Sequence, residues 1–252
     1  TLRGLGRLAE TESYYREALA LSRRTLGDDH RNTIATLNNM GALLHGRGRL
    51  AEAEPYWREA LERSRRVWGE DHPFTITSVS NLGSLLLALR KADEAAPLIH
   101  EALRKRRELL GEEHPQTLIS LVSMGDLLLF QDKPAEVLEL LAPHEAAIRT
   151  TFAGSNAHRI GPLLSMPGRA RTRLQEFAAA EANLLEASAI FVTVRGPAHR
   201  NTLACDSLIV KLYEAWHAAA PGLGNDVRAL EWQRISSTRA ATVEQQPVAN
   251  PS

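Results

Sequence analysis

The sequence predicts an all-α protein, a right-handed α-solenoid of antiparallel helix pairs built from 42-residue repeats. Two observations support this fold class. Apolar and small residues recur at three- and four-residue steps, as one buried face of a helix requires, and whole segments recur at a fixed period. Self-similarity of this length is typical of solenoids, whose repeats bury their apolar faces by stacking on their neighbours. Four landmark pairs are separated by 42 positions: His30 and His72, Asn39 and Asn81, Gly41 and Gly83, and Ala60 and Ala102.

The repeats place residues 1–240 in a single solenoid domain, followed by a tail at 241–252 that lacks periodicity and is expected to be disordered. The chain opens in the second half of a repeat and without a methionine, so we expect it to be a fragment of a longer polypeptide. The predicted units are 5–25 (a second helix only), 26–67, 68–109, 110–153, 154–195 and a divergent capping unit at 196–240.

Each full repeat is predicted to be a helical hairpin. In the first, one helix should span 32–45 and, after a glycine-containing turn, a second should span 50–67. The fourth repeat departs from this pattern because Pro162 and Pro167 fall within its first helix. Proline removes a backbone hydrogen bond, so we expect a kink or a shortened helix there. A last helix is predicted near 226–238.

Small residues indicate the class of repeat. Gly41 is followed by Ala53, Trp57 and Ala60 at offsets of 12, 16 and 19 positions. Small residues let two helices approach closely, while the bulky residue fills the space between them. A 42-residue period alone also fits the HEAT and armadillo classes, but this spacing resembles the tetratricopeptide repeat with eight residues added to its usual 34. The motif LGxxHPxT before the first helix and GRLAEAEPYWREAL in the second resemble the kinesin-light-chain type of this repeat.

The resemblance implies a non-catalytic protein–protein interaction module that binds a peptide segment or a partner domain in a concave groove. Bacterial proteins carry such arrays behind a serine/threonine kinase or a nucleotide-binding signalling domain, and the ending LYEAWHAAAPGLGNDVRALEWQ resembles arrays attached to kinases. The alternative is a structural or regulatory array attached to such an upstream domain. It could also self-associate through open repeat ends, by the uncovered face of Leu8, Tyr15 and Leu19.

Charge and composition exclude several classes of partner and chemistry. Lysine plus arginine equal aspartate plus glutamate at 30 each, so no net field favours nucleic acid or an anionic membrane. No uninterrupted apolar run approaches the ~20 residues that cross a bilayer. The single cysteine, Cys205, is typical of a buried structural thiol in a reducing compartment, and we expect a cytoplasmic protein. No nucleophile–base pair, phosphate loop, metal set or kinase signature is present, so neither catalysis nor a cofactor is predicted within these residues.

Five histidines recur near carboxylates at the starts of the repeats, and they have two interpretations. They could be metal ligands, but equivalent positions in successive repeats lie on the order of 10 Å apart, too far to share one ion. Helix capping is the favoured interpretation. The basic helix ends at 63–66 and 104–107 are interpreted as a solvated face offset by acidic turns, rather than as a phosphate site. The histidines are His30, His72, His114, His158 and His199.

Asparagine is a poor helix former, so Asn38, Asn39 and Asn81 in mid-helix need another explanation. In the kinesin-light-chain family the second asparagine of the pair faces the groove, and its amide binds the backbone of an extended peptide. By resemblance this role falls on Asn39 and Asn81, with Ser123 and Ser165 replacing them in later repeats. The alternative is that these amides only bridge adjacent helices. Neighbours on the same face, three or four positions away, are Ala35, Ala42, Thr77, Ser84, Ile119 and Asp126.

Overall fold

The computed structural model describes residues 8–152 and 157–241 of the 252-residue chain. Within those ranges the chain forms helices and turns and no β-strand, which confirms the predicted all-α class. The predicted disordered tail lies outside the described residues from position 242 onward. In chain order the helices are α1 (Leu8–Leu26), α2 (Arg31–Gly46), α3 (Leu50–Trp68), α4 (Pro73–Ala88), α5 (Ala92–Leu110), α6 (Pro115–Phe130), α7 (Pro134–Leu141), a 3₁₀ turn (Ala142–His144), α8 (Glu145–Phe152), α9 (Ala157–Arg173), α10 (Phe177–Arg195), α11 (Arg200–Ala219) and α12 (Asn225–Ala241).

The described helices form two compact bodies, an N-terminal body that ends at Gly111 and a C-terminal body that begins at Glu112. In the N-terminal body α2 pairs with α3 and α4 pairs with α5, while α3 also packs on α4. In the C-terminal body α9 pairs with α10 and α11 with α12, and α10 packs on α11. The helices predicted at 32–45 and 50–67 are α2 and α3, with each bound within one residue. The helical-hairpin repeat is therefore confirmed.

Close approach at glycine holds the two helices of a hairpin together. A Cβ added to Gly41 would lie 2.5 Å from Nε1 of the Trp57 ring, so only glycine leaves room for that ring. The same indole N–H donates a hydrogen bond to the carbonyl of Asn38 at 3.1 Å. In the next repeat Gly83 faces Ile99, where an added Cβ would lie 3.1 Å from Cγ1. The spacing of Ala53, Trp57 and Ala60 after Gly41 therefore reflects a close contact between the two helices of a hairpin.

The prolines of the fourth repeat predicted a kink or a shortened first helix, and the helix is not shortened. Helix α9 runs unbroken over Ala157–Arg173, seventeen residues that include Pro162 and Pro167. Each proline removes one backbone hydrogen bond, but the packing of α9 supports the remaining turns: the side chains of Leu163 and Met166 are fully buried. Tertiary packing rather than local propensity decides the length of this helix.

The interruption occurs instead in the second half of the third repeat. Helix α7 ends at Leu141, the turn Ala142–His144 follows, and α8 begins at Glu145. The turn contains Pro143, which lacks the N–H that a continuous α-helix would use. The buried imidazole of His144 lies in the same turn. Where the other full repeats have one long second helix, this repeat has two short ones.

The face of α1 that we expected to be uncovered is only partly so. Leu19 is 6% exposed and packs in a cluster with Ile34, Leu37 and Ala60, so it is not available for self-association. The error arises because α1 packs against α2, which covers this side of the helix. Leu8 lies outside the described side chains, and Tyr15 is half-buried. Among the described side chains of α1, the exposed apolar ones are Tyr14, Ala18, Ala20, Leu21 and Leu26.

Helix α10 is the one described helix that is long and apolar enough to cross a bilayer by length and composition. The sequence interpretation overlooked it because polar residues interrupt its apolar run. A helix that buries one face in a protein core meets the same two criteria. In the structure α10 is the second helix of the fourth repeat and packs on α9 and α11, with Leu184 and Phe191 buried.

Candidate functional site

Neighbouring asparagines in α2 have different environments. Asn38 is half-buried, and its Nδ2 donates a hydrogen bond to Ser78 Oγ of α4 at 3.1 Å. Asn39 is exposed and makes no side-chain hydrogen bond to any described residue. Asn81 in α4 is half-buried and likewise makes none within the described ranges. The bridging interpretation therefore holds for Asn38, whereas the amides of Asn39 and Asn81 are left with unused donors and acceptors.

The nine residues predicted to line a groove all lie on first helices and are all at least partly exposed. In the N-terminal body Ala35 and Asn39 are the most exposed. Two hydroxyls are used locally: Thr77 donates to the Pro73 carbonyl at 2.8 Å, and Ser84 donates to the Ser80 carbonyl at 2.9 Å. The set divides into Ala35, Asn39, Ala42, Thr77, Asn81 and Ser84 in the N-terminal body, and Ile119, Ser123 and Asp126 in the C-terminal body.

The structure corrects the register of the fourth repeat. A Cβ on Gly168 would lie 2.5 Å from Cγ of Leu184, sixteen positions later, which is the same offset as between Gly41 and Trp57. Gly168 is therefore the counterpart of Gly41, and Met166, two residues before it, is the counterpart of Asn39. Ser165, which we expected to replace Asn39, stands at the position of Asn38. Its hydroxyl donates to the Pro162 carbonyl at 3.2 Å.

A charged pair in the C-terminal body was missed from the sequence. Arg169 of α9 donates a hydrogen bond to the Asp126 carboxylate of α6 at 2.7 Å, and both side chains remain about one-third exposed. In the corrected register Ala42, Ser84, Asp126 and Arg169 occupy one position of successive repeats. Counting from Gly168, instead of adding 42 positions to Asp126, would have found this signal. The position changes from small side chains in the N-terminal body to charged ones in the C-terminal body.

The recurring histidines are helix N-caps. The Nδ1 of each accepts a hydrogen bond from the backbone N–H two residues later, as His30 does from Asn32 at 3.2 Å. Each cap has extended backbone angles, which direct the ring back over the first turn. His158 lies outside the described side chains, and the described residues hold no group of three or more His, Cys, Asp or Glu that could bind a metal ion. The caps seen are His30, His72, His114 and His199.

The basic helix ends are tied to acidic groups, as the acidic turns predicted. Arg63 donates to Asp29 at 3.1 Å and to Glu59 at 2.8 Å. Arg66 hydrogen-bonds the same Asp29, and this bond is the main reason that the pKa of the Asp29 carboxyl is lowered. Arg65 reaches Glu101 of α5 at 3.0 Å. Neighbouring carboxylates therefore offset the charges of these arginines, which argues against a phosphate site.

Two residues of the second basic end contradict the predicted solvated face, because Lys105 and Arg106 are buried. Lys105 Nζ donates to the Glu70 carbonyl at 2.7 Å and lies 3.1 Å from the Asp71 carboxylate. Burial opposes the charge of Lys105, but hydrogen bonds to Asp71 and Glu101 outweigh it and raise the pKa of the ammonium group. This lysine holds the turn that precedes α4.

Cys205 is a buried structural thiol, as predicted. Its Sγ is 3.5 Å from the Leu184 carbonyl, and it forms no disulfide. Burial, with a smaller effect from neighbouring Asp206, raises the pKa of the thiol to about 12. Almost none of it is thiolate at neutral pH, so it is a poor nucleophile.

Comparisons with known proteins agree with this geometry. The tetratricopeptide repeat model matches residues 1–56, 33–98 and 76–142. BtubC (BKLC) from P. vanneervenii has a similar structure, with a TM-score of 0.66 at 18% identity over 97% of this chain and 96% of that one. A variant of the nearly identical TPR-like repeats of a Podosopora anserina kinesin light chain protein has a TM-score of 0.63 at 18% identity, over 84% of this chain and 97% of that one. No curated protein matches the sequence.

The paired helices, the glycine contacts and the capped turns define a class of helical-hairpin repeat proteins. The chain belongs to the tetratricopeptide repeat family, whose model covers more than half of it. Its fold is that of kinesin-light-chain-like repeat proteins, which confirms the resemblance drawn from the motifs. Repeats of this family are generally non-catalytic modules for protein–protein interaction.

Proposed function

We propose that this chain is a non-catalytic binding module whose first helices α2 and α4 hold an extended peptide segment of a partner protein. The observation that supports this most directly is the contrast within the asparagine pair. Asn38 is committed to a contact with Ser78 at 3.1 Å, whereas Asn39 and Asn81 present amides without hydrogen bonds to the described residues. Asn39 is exposed, and asparagine is a poor helix former, so this side chain does not stabilise the fold.

An amide suits recognition of a peptide main chain because it donates and accepts at the same time. The repeating N–H and C=O groups of an extended peptide offer both partners irrespective of its sequence. Small neighbours make this chemistry accessible: Ala35 is exposed and Ala42 half-buried, so neither blocks the approach of a backbone to Asn39. Specificity would then come from the side chains around the amides.

Replacing Asn39 and Asn81 together by alanine is expected to weaken peptide binding by about 10- to 100-fold. Each amide contributes net hydrogen-bond free energy of about 0.5–1.5 kcal/mol, and tenfold in affinity is about 1.4 kcal/mol. Isothermal titration with a peptide selected on the wild-type chain from a random display library measures the loss. Circular dichroism and the melting temperature should stay nearly unchanged, because neither side chain bonds to the fold.

The matched control is Glu62→Ala, an exposed change on α3, the second helix of the same repeat. It should leave the affinity unchanged. If the double variant kept wild-type affinity while remaining folded, the assignment of the amides to a binding groove would be wrong.

Self-association is the second candidate function, and one observation favours it. Ala18 on α1 is exposed, whereas its repeat counterparts Ala60 and Ala102 are buried. Beside it, Tyr14 and Leu21 are 59% and 52% exposed, which makes an apolar face that a second copy could cover.

Sedimentation equilibrium tests the second candidate. A dimer formed through α1 should dissociate in Leu21→Glu, because a buried unpaired carboxylate is costly. Leu223→Glu is the control, since Leu223 is 63% exposed in the loop before α12. A monomer at every concentration, or a dimer that Leu21→Glu leaves intact, would eliminate the candidate.

The cellular context stays a prediction. Attachment to an upstream bacterial kinase or nucleotide-binding signalling domain rests on the resemblance of the C-terminal segment, and a cytoplasmic location rests on the single cysteine. The coding sequence that precedes Thr1 tests the first.

A further inference from the structure

A recess open to solvent lies in the C-terminal body, between α9 and α11 and above α10. Its volume is about 230 Å³, and three buried side chains, Ser165, Phe191 and Cys205, form its floor. The rim consists of half-buried or exposed residues of α9 and α11, so the mouth is accessible. These rim residues are Pro162, Arg169, Asn201, Ala204 and Leu208.

Two short side chains account for the recess. Between α2 and α4 the carboxamide of Asn38 crosses the gap and donates a hydrogen bond to Ser78 at 3.1 Å. By position in the repeat, Ser165 is the counterpart of Asn38, and Cys205 is the counterpart of Ser78. The Ser165 hydroxyl donates to the Pro162 carbonyl of its own helix at 3.2 Å. The space that an amide fills between α2 and α4 is therefore left open between α9 and α11.

Arg169 is the one charged side chain among the described residues that line the recess. Its Nη1 donates to the Asp126 carboxylate at 2.7 Å, whereas its Nε and Nη2 have no partner among the described residues. The Arg169 side chain is 30% exposed, so these donors are within reach of a ligand. One edge of the guanidinium is therefore free to bind a second acceptor.

Arg49 in the N-terminal body shows what a guanidinium binds when both of its edges are used. Its Nη1 donates to Glu12 at 2.6 Å, and its Nε and Nη2 donate to the two oxygens of Glu52 at 2.6 Å each. Arg169 makes the first of these contacts and lacks the second. Two parallel hydrogen bonds from a guanidinium to a carboxylate are among the strongest in proteins. A ligand carboxylate is therefore the group that best fits the free edge of Arg169.

The size and charge of the recess limit the rest of the ligand. Apolar cavities of ~150 Å³ hold benzene, and sites for drug-sized ligands start near ~300 Å³. A recess of about 230 Å³ therefore fits one small ring or a short branched chain. Asp126 already offsets the charge of Arg169, which favours a singly charged carboxylate over a doubly charged phosphate. No side chain within a peptide combines such an apolar group with a carboxylate, which indicates a free small molecule.

We propose that this recess binds a small aromatic or aliphatic carboxylic acid, with its apolar part against Phe191 and Cys205 and its carboxylate on the free edge of Arg169. The proposal goes beyond the proposed function, because the ligand is a free small molecule and not a segment of a partner protein. A bound acid would join α9 to α11, as the hydrogen bond between Asn38 and Ser78 joins α2 to α4.

The test uses benzoate, its uncharged analogue benzamide, and acetate, which has the carboxylate without the ring. Binding is followed by the ¹³C-methyl resonances of Ala204 and Leu208, which line the recess. We expect saturable shifts with benzoate and none with acetate. Benzamide should bind about tenfold more weakly, because the paired hydrogen bonds to a charged carboxylate are lost.

Four variants complete the test. Ser165→Asn places an amide where Asn38 has one and should abolish benzoate binding. Ala204→Trp should do the same from the exposed rim, without a change in the buried floor. Ser207→Trp, at an exposed position of the same helix outside the lining, is the matched control and should bind benzoate like the wild type. Arg169→Gln should remove the preference for benzoate over benzamide.

The proposal is overturned if benzoate does not move the two methyl resonances, if Ser165→Asn and Ala204→Trp both bind it like the wild type, or if Arg169→Gln keeps the preference for benzoate. It is also wrong if N-acetylphenylalanine binds more tightly than benzoate, because the occupant would then be the end of a peptide chain. None of these readouts involves Asn39 or Asn81, so failure here is distinguishable from failure of the groove amides.

Discussion

Replacing Gly41 by alanine is expected to destabilise the N-terminal body by about 2 kcal/mol. The new Cβ would lie 2.5 Å from the Trp57 ring, a contact that a rigid aromatic side chain cannot relieve by rotating one terminal atom. Overpacking of a core costs about 1–3 kcal/mol, and the better helix propensity of alanine offsets less than ~1 kcal/mol of it. Chemical denaturation followed by circular dichroism measures the change.

Gly46 supplies the matched control for this prediction. It lies at the end of the same helix, and an added Cβ would meet nothing within 4 Å. Gly46→Ala should therefore be neutral or stabilise by up to ~1 kcal/mol. Equal stabilities of the Gly41→Ala and Gly46→Ala variants would show that the close helix approach is not what holds the hairpin.

Replacing Arg239 by methionine is expected to cost about 3–5 kcal/mol, the largest effect of any single change considered. The Asp206 carboxylate is fully buried, and it accepts hydrogen bonds from Arg239 of α12 at 2.6 Å and from Ser188 at 3.1 Å. Its second oxygen has no partner within the described residues. Without Arg239 the carboxylate would be buried with no countercharge. Thermal melting and hydrogen exchange of α12 report the loss.

A compensating variant separates this ion pair from simple helix contact. In the first three full repeats the position of Asp206 is held by Leu37, Val79 and Leu121, all fully buried. Adding Asp206→Leu to Arg239→Met should restore most of the stability, because a packed apolar pair replaces the ionic one without a desolvated charge. If the double variant were no more stable than the single one, the buried charge would not be the cause.

The periodic part of the fold could be predicted from the sequence because the same residue pattern occurs in several successive repeats. The three- and four-residue spacing of apolar residues predicted the bounds of α2 and α3 to within one residue. The offset of sixteen positions between Gly41 and Trp57 identified a helix–helix contact that recurs at Gly83. The capping role of the histidines could also be predicted, because a residue that recurs just before the first helix of each repeat is expected to play the same structural role in every repeat.

Positions in the divergent repeats were harder to assign, since a single inserted residue shifts every later assignment. Gly125 and Gly168 are 43 positions apart rather than 42, so a strict 42-residue period placed the counterpart of Asn39 at Ser165, one position before Met166. The continuity of α9 through two prolines depends on burial, which no local pattern encodes. Contacts between distant helices, such as Asp126 with Arg169, depend on three-dimensional proximity and not on spacing along the chain.

The candidate site was predicted in outline only. The family resemblance assigned the groove role to Asn39, but the residue pattern alone could not show that Asn38 instead binds Ser78 of the neighbouring repeat. Adjacent helical positions point about 100° apart, so the distinction requires knowing which side of α2 faces α4.

The most direct test of the central claim compares peptides that are unrelated in sequence. If Asn39 and Asn81 bind the peptide main chain, the Asn39→Ala, Asn81→Ala variant should lose affinity by a similar factor for each display-selected peptide, within about threefold on a loss of about 10- to 100-fold. A loss confined to a few peptides, with the others unaffected, would contradict main-chain recognition and would assign the amides to side-chain contacts instead.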